Sequence, residues 1–555
     1  MALKLSSLVI QLNRRLCLAV SDIIGMESSD TLLLFNNTYL LLAVCLATVP
    51  VVIGLGLCTH GRDALPPGPR RLPFVGNLFD LPKHKLWVGF RDITMNYGGR
   101  IVYMEVLRQP MLVINDALLA ATSLEKANTS DRPHINVVKL SGQGYNFAFS
   151  PYGSIWRAHR REFHRYFHQG VVPNYKAVQR AETHKFLARV LKSQSEPAWQ
   201  IRTCLAATML KILYGIDVVD EQDEHVLRTD GILEALALSA PGRLLFEYLP
   251  VLRHVPAWFP GAGFQRILIR CREANAYLEH VLFDETREAL ERGEPCGASV
   301  AKTMLQESSD KTTTLDPGKE WLLKNVCATA FEGATDTSFS LIQAAFVALA
   351  TNPEAQKKAQ AELDTVVGPG RLPDYDDSDM LVYVNALIRE LLRWHIVAPL
   401  LLPHLTIEDD ELDGYLIPAG TTISVNIWAM LHDPDVYDDP DKFLPERFIT
   451  PDGKLNLDIR NPAHFVFGFG RRMCPGRHFA QNSLFIAIAS VLHVFNVSLP
   501  LDEAGQPIPI KYEPTDGLIC YPKDSRCTIK PRSPAADALI RNAGVNALAS
   551  TATGA

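Results

Sequence analysis

The 555-residue chain has no dense Lys/Arg tract and little excess of either charge, with 55 Lys+Arg against 61 Asp+Glu for a net charge of −6. Without a cationic footprint it is not a dedicated nucleic-acid binder. Its ten cysteines are scattered and contain no C-x-x-C pair, which fits neither a structural zinc site nor a small disulfide framework. No Gly/Ser-rich or charged linker interrupts residues 66–530, so one large domain remains open although length alone suggests about three. At 47% hydrophobic and 21% charged residues, the chain is neither collagen-like, low-complexity nor wholly disordered.

One stretch lacks charge altogether. Residues 31–59 carry no formal charge, and Tyr39–Cys58 is almost unbroken apolar sequence. Twenty residues at about 1.5 Å each cover roughly 30 Å, the thickness of a bilayer core. The expectation is a transmembrane helix over 31–59 with Pro50 as a tolerated kink, preceded by a lumenal segment over 1–30. His60, Arg62, Arg70 and Arg71 follow the span, so the positive-inside rule puts the large C-terminal part in the cytosol. Leu65-Pro66-Pro67-Gly68-Pro69-Arg70 reads as a stiff hinge within 60–82, each proline fixing φ and denying the backbone a donor. Residues 531–555 show no apolar periodicity strong enough to demand packing and are expected to be a disordered tail.

The chemistry concentrates around Cys474. Phe465 to Ala480 reads FVFGFGRRMCPGRHFA, a Gly-rich aromatic loop that runs into the cysteine and then into a helix from Arg477 to about Val494. A thiol at a helix N-terminus, beside Arg471 and Arg472, has two influences that favour thiolate. Gly468 and Gly470 allow the backbone to turn its N–H groups toward the sulfur, and Phe467 can cover it from water. A nucleotide fingerprint is excluded because position 473 is Met, and an inert buried cysteine leaves the arginines unexplained. Elsewhere, Glu390 and Arg393 share a helix face at i and i+3. Gly318–Thr351 predicts a buried helix about 50 Å long, apolar on nearly every side. In its centre, Gly333-Ala334-Thr335-Asp336-Thr337-Ser338 places an acid and a hydroxyl where they are costly unless used or well bonded. Trp156, Arg160, Phe163 and Phe167 form one aromatic helix face with a single inward arginine, while Arg157, Arg161, His164 and Arg165 form a basic face elsewhere on the helix.

The segment FGFGRRMCPG resembles the haem-binding loop of the cytochrome P-450 family of haem-thiolate monooxygenases, and the resemblance extends over about 65–530, with fungal microsomal members as the nearest in layout. It implies a mainly α fold with small β-sheets (α+β), a single large domain behind the membrane helix. It assigns Cys474 as the axial thiolate ligand of a haem b iron. Trp156, Arg160, Arg472 and His404 are assigned to the haem propionates, and Phe467 to the cofactor's surroundings. Arg447, in Phe443-Leu444-Pro445-Glu446-Arg447-Phe448, would join Glu390 and Arg393 in a structural triad. Thr337 would bond back to the Gly333 carbonyl and hold a water on dioxygen, with Asp336 feeding protons. Arg157, Arg161 and Arg165 are read as a docking patch for an acidic reductase carrying NADPH electrons, at an endoplasmic reticulum membrane. Segments 136–149, 328–332, 396–401 and 517–519 resemble substrate-contacting regions. Three of them are chiefly aliphatic, so a lipophilic terpenoid, polyketide or aromatic held by shape is expected. The rival readings are a haem carrier without turnover, an oxygen-independent isomerase or dehydratase of the same fold, and a cysteine hydrolase pairing Cys474 with His478. A carrier has no need of Asp336 and Thr337, and a hydrolase explains none of the other segments.

Overall fold

The computed structural model describes residues 64–193, 197–232, 234, 253–259, 262–294, 297–308 and 316–552. The membrane helix expected over 31–59 lies outside them, and among the described residues no helix is long and apolar enough to cross a membrane. Leu65–Arg71 and Val75–Ala555 form one compact unit, to which everything below belongs. Among the described residues its architecture is mainly helical with three small sheets.

The longer helices are α1 (Leu86–Asn96), α2 (Ser154–Phe167), α3 (Lys176–Ser193), α4 (Ala198–Tyr214), α5 (Gly263–Ala276), α6 (Pro317–Thr351), α7 (Pro353–Val366), α8 (Val382–Trp394), α9 (Arg477–Val494) and α10 (Pro534–Ala552). The strands are β1 (Ile101–Val106), β2 (Gln109–Ile114), β3 (His404–Leu405), β4 (Asp410–Leu412), β5 (Tyr415–Ile417), β6 (Thr422–Val425), β7 (Phe495–Ser498) and β8 (Thr528–Pro531). The largest sheet has the order β1-β2-β6-β3. Its β1–β2 hairpin turns through Leu107 and Arg108, both at positive φ, as a two-residue turn matched to strand twist requires. β2 pairs in parallel with β6, so the helical body lies between them in sequence. The proline-rich stretch is laid along β1: Tyr103 N–H donates to the Pro67 carbonyl at 2.9 Å. Only glycine fits at position 68, where a Cβ would sit 1.9 Å from the Tyr103 carbonyl oxygen.

α6 runs through the middle of the unit. Asp316 caps its start by accepting from Lys319 N–H at 3.0 Å, Pro317 occupies the first turn, and Asn352-Pro353 ends it. Its thirty-five residues span about 52 Å. α4 and α2 pack beside its first half, and α9 packs against its second. The expected long central helix is therefore present and buried.

The expected disordered tail is corrected. Residues 534–552 form α10, which packs on α3 through Ala536, Ile540, Gly544 and Ala547, spaced i, i+4, i+8 and i+11. The face is real but built of small residues, so its hydrophobic periodicity is faint. Gly544 approaches so closely that a Cβ would lie 2.8 Å from Ala188 Cβ. Arg532 fastens the start of this segment, donating to both Asp364 oxygens at 2.8 and 2.6 Å and to the His493 carbonyl at 3.0 Å.

Candidate active site

A cavity of about 300 Å³ opens between α2, α6, α8, α9 and the cysteine loop. It brings together Trp156, Arg160, Thr337, His404, Phe467, Arg472 and Cys474, residues scattered over more than three hundred positions of sequence.

The cysteine loop has the backbone its glycines foretell. Gly468 and Gly470 both adopt positive φ, and a Cβ at 470 would lie 2.2 Å from the Leu124 carbonyl oxygen. The Cys474 N–H donates to the Phe467 carbonyl at 2.8 Å, closing the loop under the sulfur. Burial raises the Cys474 thiol above its ordinary range, while the Gly476 N–H, Arg160 and Arg477 pull it down. The cations that act on the sulfur are thus Arg160 and Arg477, and not the expected Arg471 and Arg472. Arg471 is exposed, and Arg472 turns to the carbonyls of Ser130 (2.8 Å) and Ser150 (2.7 Å) with its guanidinium 4.4 Å from the Trp156 ring.

Opposite that loop, Arg160 Nη2 donates to the Met473 carbonyl at 2.6 Å. His404 is held neutral by burial, with Nδ1 2.7 Å from the Thr129 carbonyl oxygen. That contact puts the imidazole proton on Nδ1, so Nε2 takes a second proton only where an anion offsets the charge. The residue missed in the sequence is Arg132. It lines the same cavity, 8% exposed, and donates to the carbonyls of Ala148, Leu402 and Pro403. Nothing in its immediate sequence, Asp131-Arg132-Pro133-His134, marks it out.

These residues fit haem. Burial lowers Arg132, Arg160 and Arg472, the last to about 10, so three guanidiniums share an enclosed space that calls for anionic groups. The rest of the wall is largely apolar, with Phe163, Ala330, Leu392, Val397 and Phe469. A Cβ added at Gly333 or Gly468 would meet nothing within 4 Å, so helix and loop open on space above the sulfur.

Asp336 and Thr337 are adjacent in sequence but divided in space. Thr337 lines the cavity, and its hydroxyl donates to the Gly333 carbonyl at 2.6 Å, the bond the sequence led one to expect. Asp336 instead borders a second cavity of about 20 Å³, room for a water, together with Thr335, Arg202 and Asp230. Arg202 Nη1 donates to Asp336 Oδ1 at 3.1 Å, and burial raises this acid above its ordinary value while Arg202 opposes the shift.

The Glu390, Arg393 and Arg447 side chains meet behind the cysteine loop. Arg393 donates to both Glu390 oxygens at 2.8 Å, and Arg447 Nε lies 3.2 Å from the same carboxylate. Arg393 also satisfies the carbonyls of Leu431, Pro440 and Lys442, so the group is buried yet well bonded. On α2, Arg157 and Arg161 are exposed. Arg165 is exposed as well but already paired with Glu162 at 3.0 Å and Glu307 at 2.8 Å. Of the four expected substrate segments, 136–149, 328–332 and 396–401 contribute to the cavity wall, and 517–519 does not.

A largely apolar cavity floored by a cysteine loop, lined by three arginines and crossed by a threonine-bearing helix fits a haem-thiolate protein. The family model described as cytochrome P-450 matches residues 66–525, and the chain belongs to that family. It is similar to the cytochrome P-450 monooxygenase COX1 of Coprinopsis cinerea, 39% identical over 86% of this chain and 93% of the relative. The monooxygenase eriA of Hericium erinaceus is 36% identical over 94% of this chain and all of the relative. Tryptamine 4-monooxygenase of Psilocybe cyanescens is 34% identical over 85% and 94% respectively. The protein is an oxidoreductase of the monooxygenase class.

Proposed function

We propose that this chain is a membrane-anchored monooxygenase that oxidises a lipophilic small molecule of secondary metabolism, of terpenoid, polyketide or aromatic type. The observation that carries the reading is the cavity in which the Cys474 thiol, the guanidiniums of buried Arg132 and half-buried Arg160 and Arg472, and the Thr337 hydroxyl share an apolar wall. The name of one relative, tryptamine 4-monooxygenase, supports the aromatic arm of the substrate proposal. The uncharged stretch over 31–59 supports an anchor in the endoplasmic reticulum membrane with the body in the cytosol.

Haem bound here would supply the redox chemistry that activates dioxygen, with NADPH-derived electrons arriving through a reductase. Cys474 Sγ would hold the iron, and Arg132, Trp156, Arg160, His404 and Arg472 would hold the carboxylates. Thr337 Oγ1 would keep a water and its proton in the cavity. Asp336, on the other side of the helix, would take protons from the small cavity beside Arg202 and pass them toward Thr337. Exposed Arg157 and Arg161 would meet an acidic reductase; Arg165, already paired, would add less to that surface.

The test is turnover of the reductase-supplied protein with candidate scaffolds under isotopically labelled dioxygen. Labelled oxygen in the product supports the proposal. Product without label would establish the oxygen-independent reading, and haem binding without turnover the carrier reading.

A further inference from the structure

The cavity wall at residues 141–150 is fastened by a hydrogen-bond chain that fixes the position of one proton. Tyr145 Oη lies 2.6 Å from Asn275 Oδ1 and 2.9 Å from Glu332 Oε2, and all three residues are buried. The orientation of Asn275 is settled by its amine, which donates to the carbonyls of Ser141 (3.1 Å), Ile232 (3.3 Å) and Cys271 (2.8 Å). Its oxygen is therefore the atom facing Tyr145. An amide oxygen has no proton to give, so the 2.6 Å contact takes the single phenolic proton of Tyr145. The 2.9 Å contact then needs a proton from the other side, which Glu332 supplies. An ionised Glu332 would set lone pair against lone pair at hydrogen-bond distance in a buried site.

The surroundings favour the same state. Burial pushes Glu332 up to about 8, with Tyr145 and Asn146 opposing and Asp336 adding to the shift. The titratable groups around the chain are Asp336 on the same helix and, about Tyr145, Glu279 and Tyr214, all of them acids. Burial holds the Tyr145 phenol well above its ordinary value, so it keeps its proton.

We propose that Glu332 is a positioning residue that works as the neutral acid, its carboxyl proton closing the chain from Glu332 through Tyr145 to Asn275 and holding the cavity wall of Gly142–Ser150 against α6. The wall matters to the site because Asn146, Phe147 and Ala148 line the cavity. Its backbone also seats two of the guanidiniums: the Ala148 carbonyl accepts from Arg132, and the Phe147 and Ser150 carbonyls accept from Arg472. Loss of the Glu332 proton at high pH breaks the chain and loosens the wall. This inference goes beyond the proposed function and needs no substrate for its test, so the two stand or fall separately.

The experiment compares haem-loaded wild type with Glu332→Gln on either side of pH 8. The first readout is the infrared carbonyl band of a protonated carboxylic acid, isolated as the difference between the two proteins. The second is amide hydrogen exchange of residues 142–150, corrected for its intrinsic pH dependence. Wild type is expected to show the band at neutral pH and lose it above about 8, with protection of the wall falling several-fold over the same range. Glu332→Gln, whose amide N–H donates to Tyr145 as the acid does, keeps the protection at both pH values. Tyr145→Phe, which removes the relay, loses it at both. No carboxylic-acid band at neutral pH would overturn the proposal on the wild-type protein alone. A Glu332→Gln wall that loosens with pH as wild type does would overturn it too, as would failure of that variant to fold, since the amide reproduces the neutral acid's bonds.

Discussion

Arg202 lies 3.1 Å from Asp336 on a side of α6 that the active-site cavity does not reach, while Thr337, one residue on, looks into that cavity. The acid and the hydroxyl thus face different cavities, with Arg202 beside the acid.

Asp336→Asn should slow product formation by about a hundredfold, the lower range for loss of a general acid–base group. Arg202→Met should act through Asp336. Burial raises that acid and Arg202 lowers it, so removing the cation raises it further and the pH profile of turnover shifts upward. Steady-state rates against pH for both variants check this; an unmoved profile in Arg202→Met would disconnect the pair from turnover.

Thr337→Ala should leave haem loading and thermal stability nearly unchanged, since the lost bond is an extra one to the Gly333 carbonyl on an intact helix. The expected loss is in coupling. Product formed per NADPH consumed should fall several-fold while NADPH consumption continues.

Arg393→Ala leaves the Glu390 carboxylate buried with only Arg447 beside it, and should cost about 3–5 kcal/mol. Lower haem incorporation and a lower yield of folded protein are the outcomes to measure. A variant that loads full haem and loses only activity would contradict a structural role.

Stability should fall as pH rises through the range set by Glu332. Its folded value of about 8 exceeds the ordinary 4.5, so between the two the unfolded chain gives up its proton while the folded one keeps it. This group therefore stabilises fully below about 4.5 and loses that contribution, at roughly 1.4 kcal/mol per pH unit, until pH 8. Urea midpoints at several pH values should show a shallower decline in Glu332→Gln than in wild type.

Ile540→Ala tests whether α10 belongs to the body. The side chain is fully buried, and its truncation should cost about 2–5 kcal/mol, read as a drop in melting temperature.

The parts legible in the sequence were those whose chemistry demands fixed spacing. Glu390 and Arg393 had to share a face at i and i+3, and the glycines around Cys474 had to turn a loop, because only glycine tolerates that approach to Leu124. Where every side of a helix is buried, periodicity loses its power. α6 is apolar all round, so nothing in its pattern said that Asp336 points to Arg202 and Thr337 to the cavity. α10 was illegible for the opposite reason, because Ala536, Gly544 and Ala547 pack by closeness rather than by bulk. Arg132 was passed over, and Glu332 was read only as the end of a substrate-contacting segment, because each works through partners far away in sequence, Leu402 and Pro403 for one and Tyr145 for the other.

The central claim is that Cys474 supplies the thiolate to a haem iron in this cavity. The absorbance spectrum of the reduced, carbon monoxide-bound protein tests it, recorded for wild type and Cys474→Ser side by side. Wild type should give the red-shifted band of thiolate ligation, and the serine variant should fold but lose that band, since an alcohol is a far poorer anion and donor to iron. A Cys474→Ser protein that kept the wild-type band would contradict the assignment.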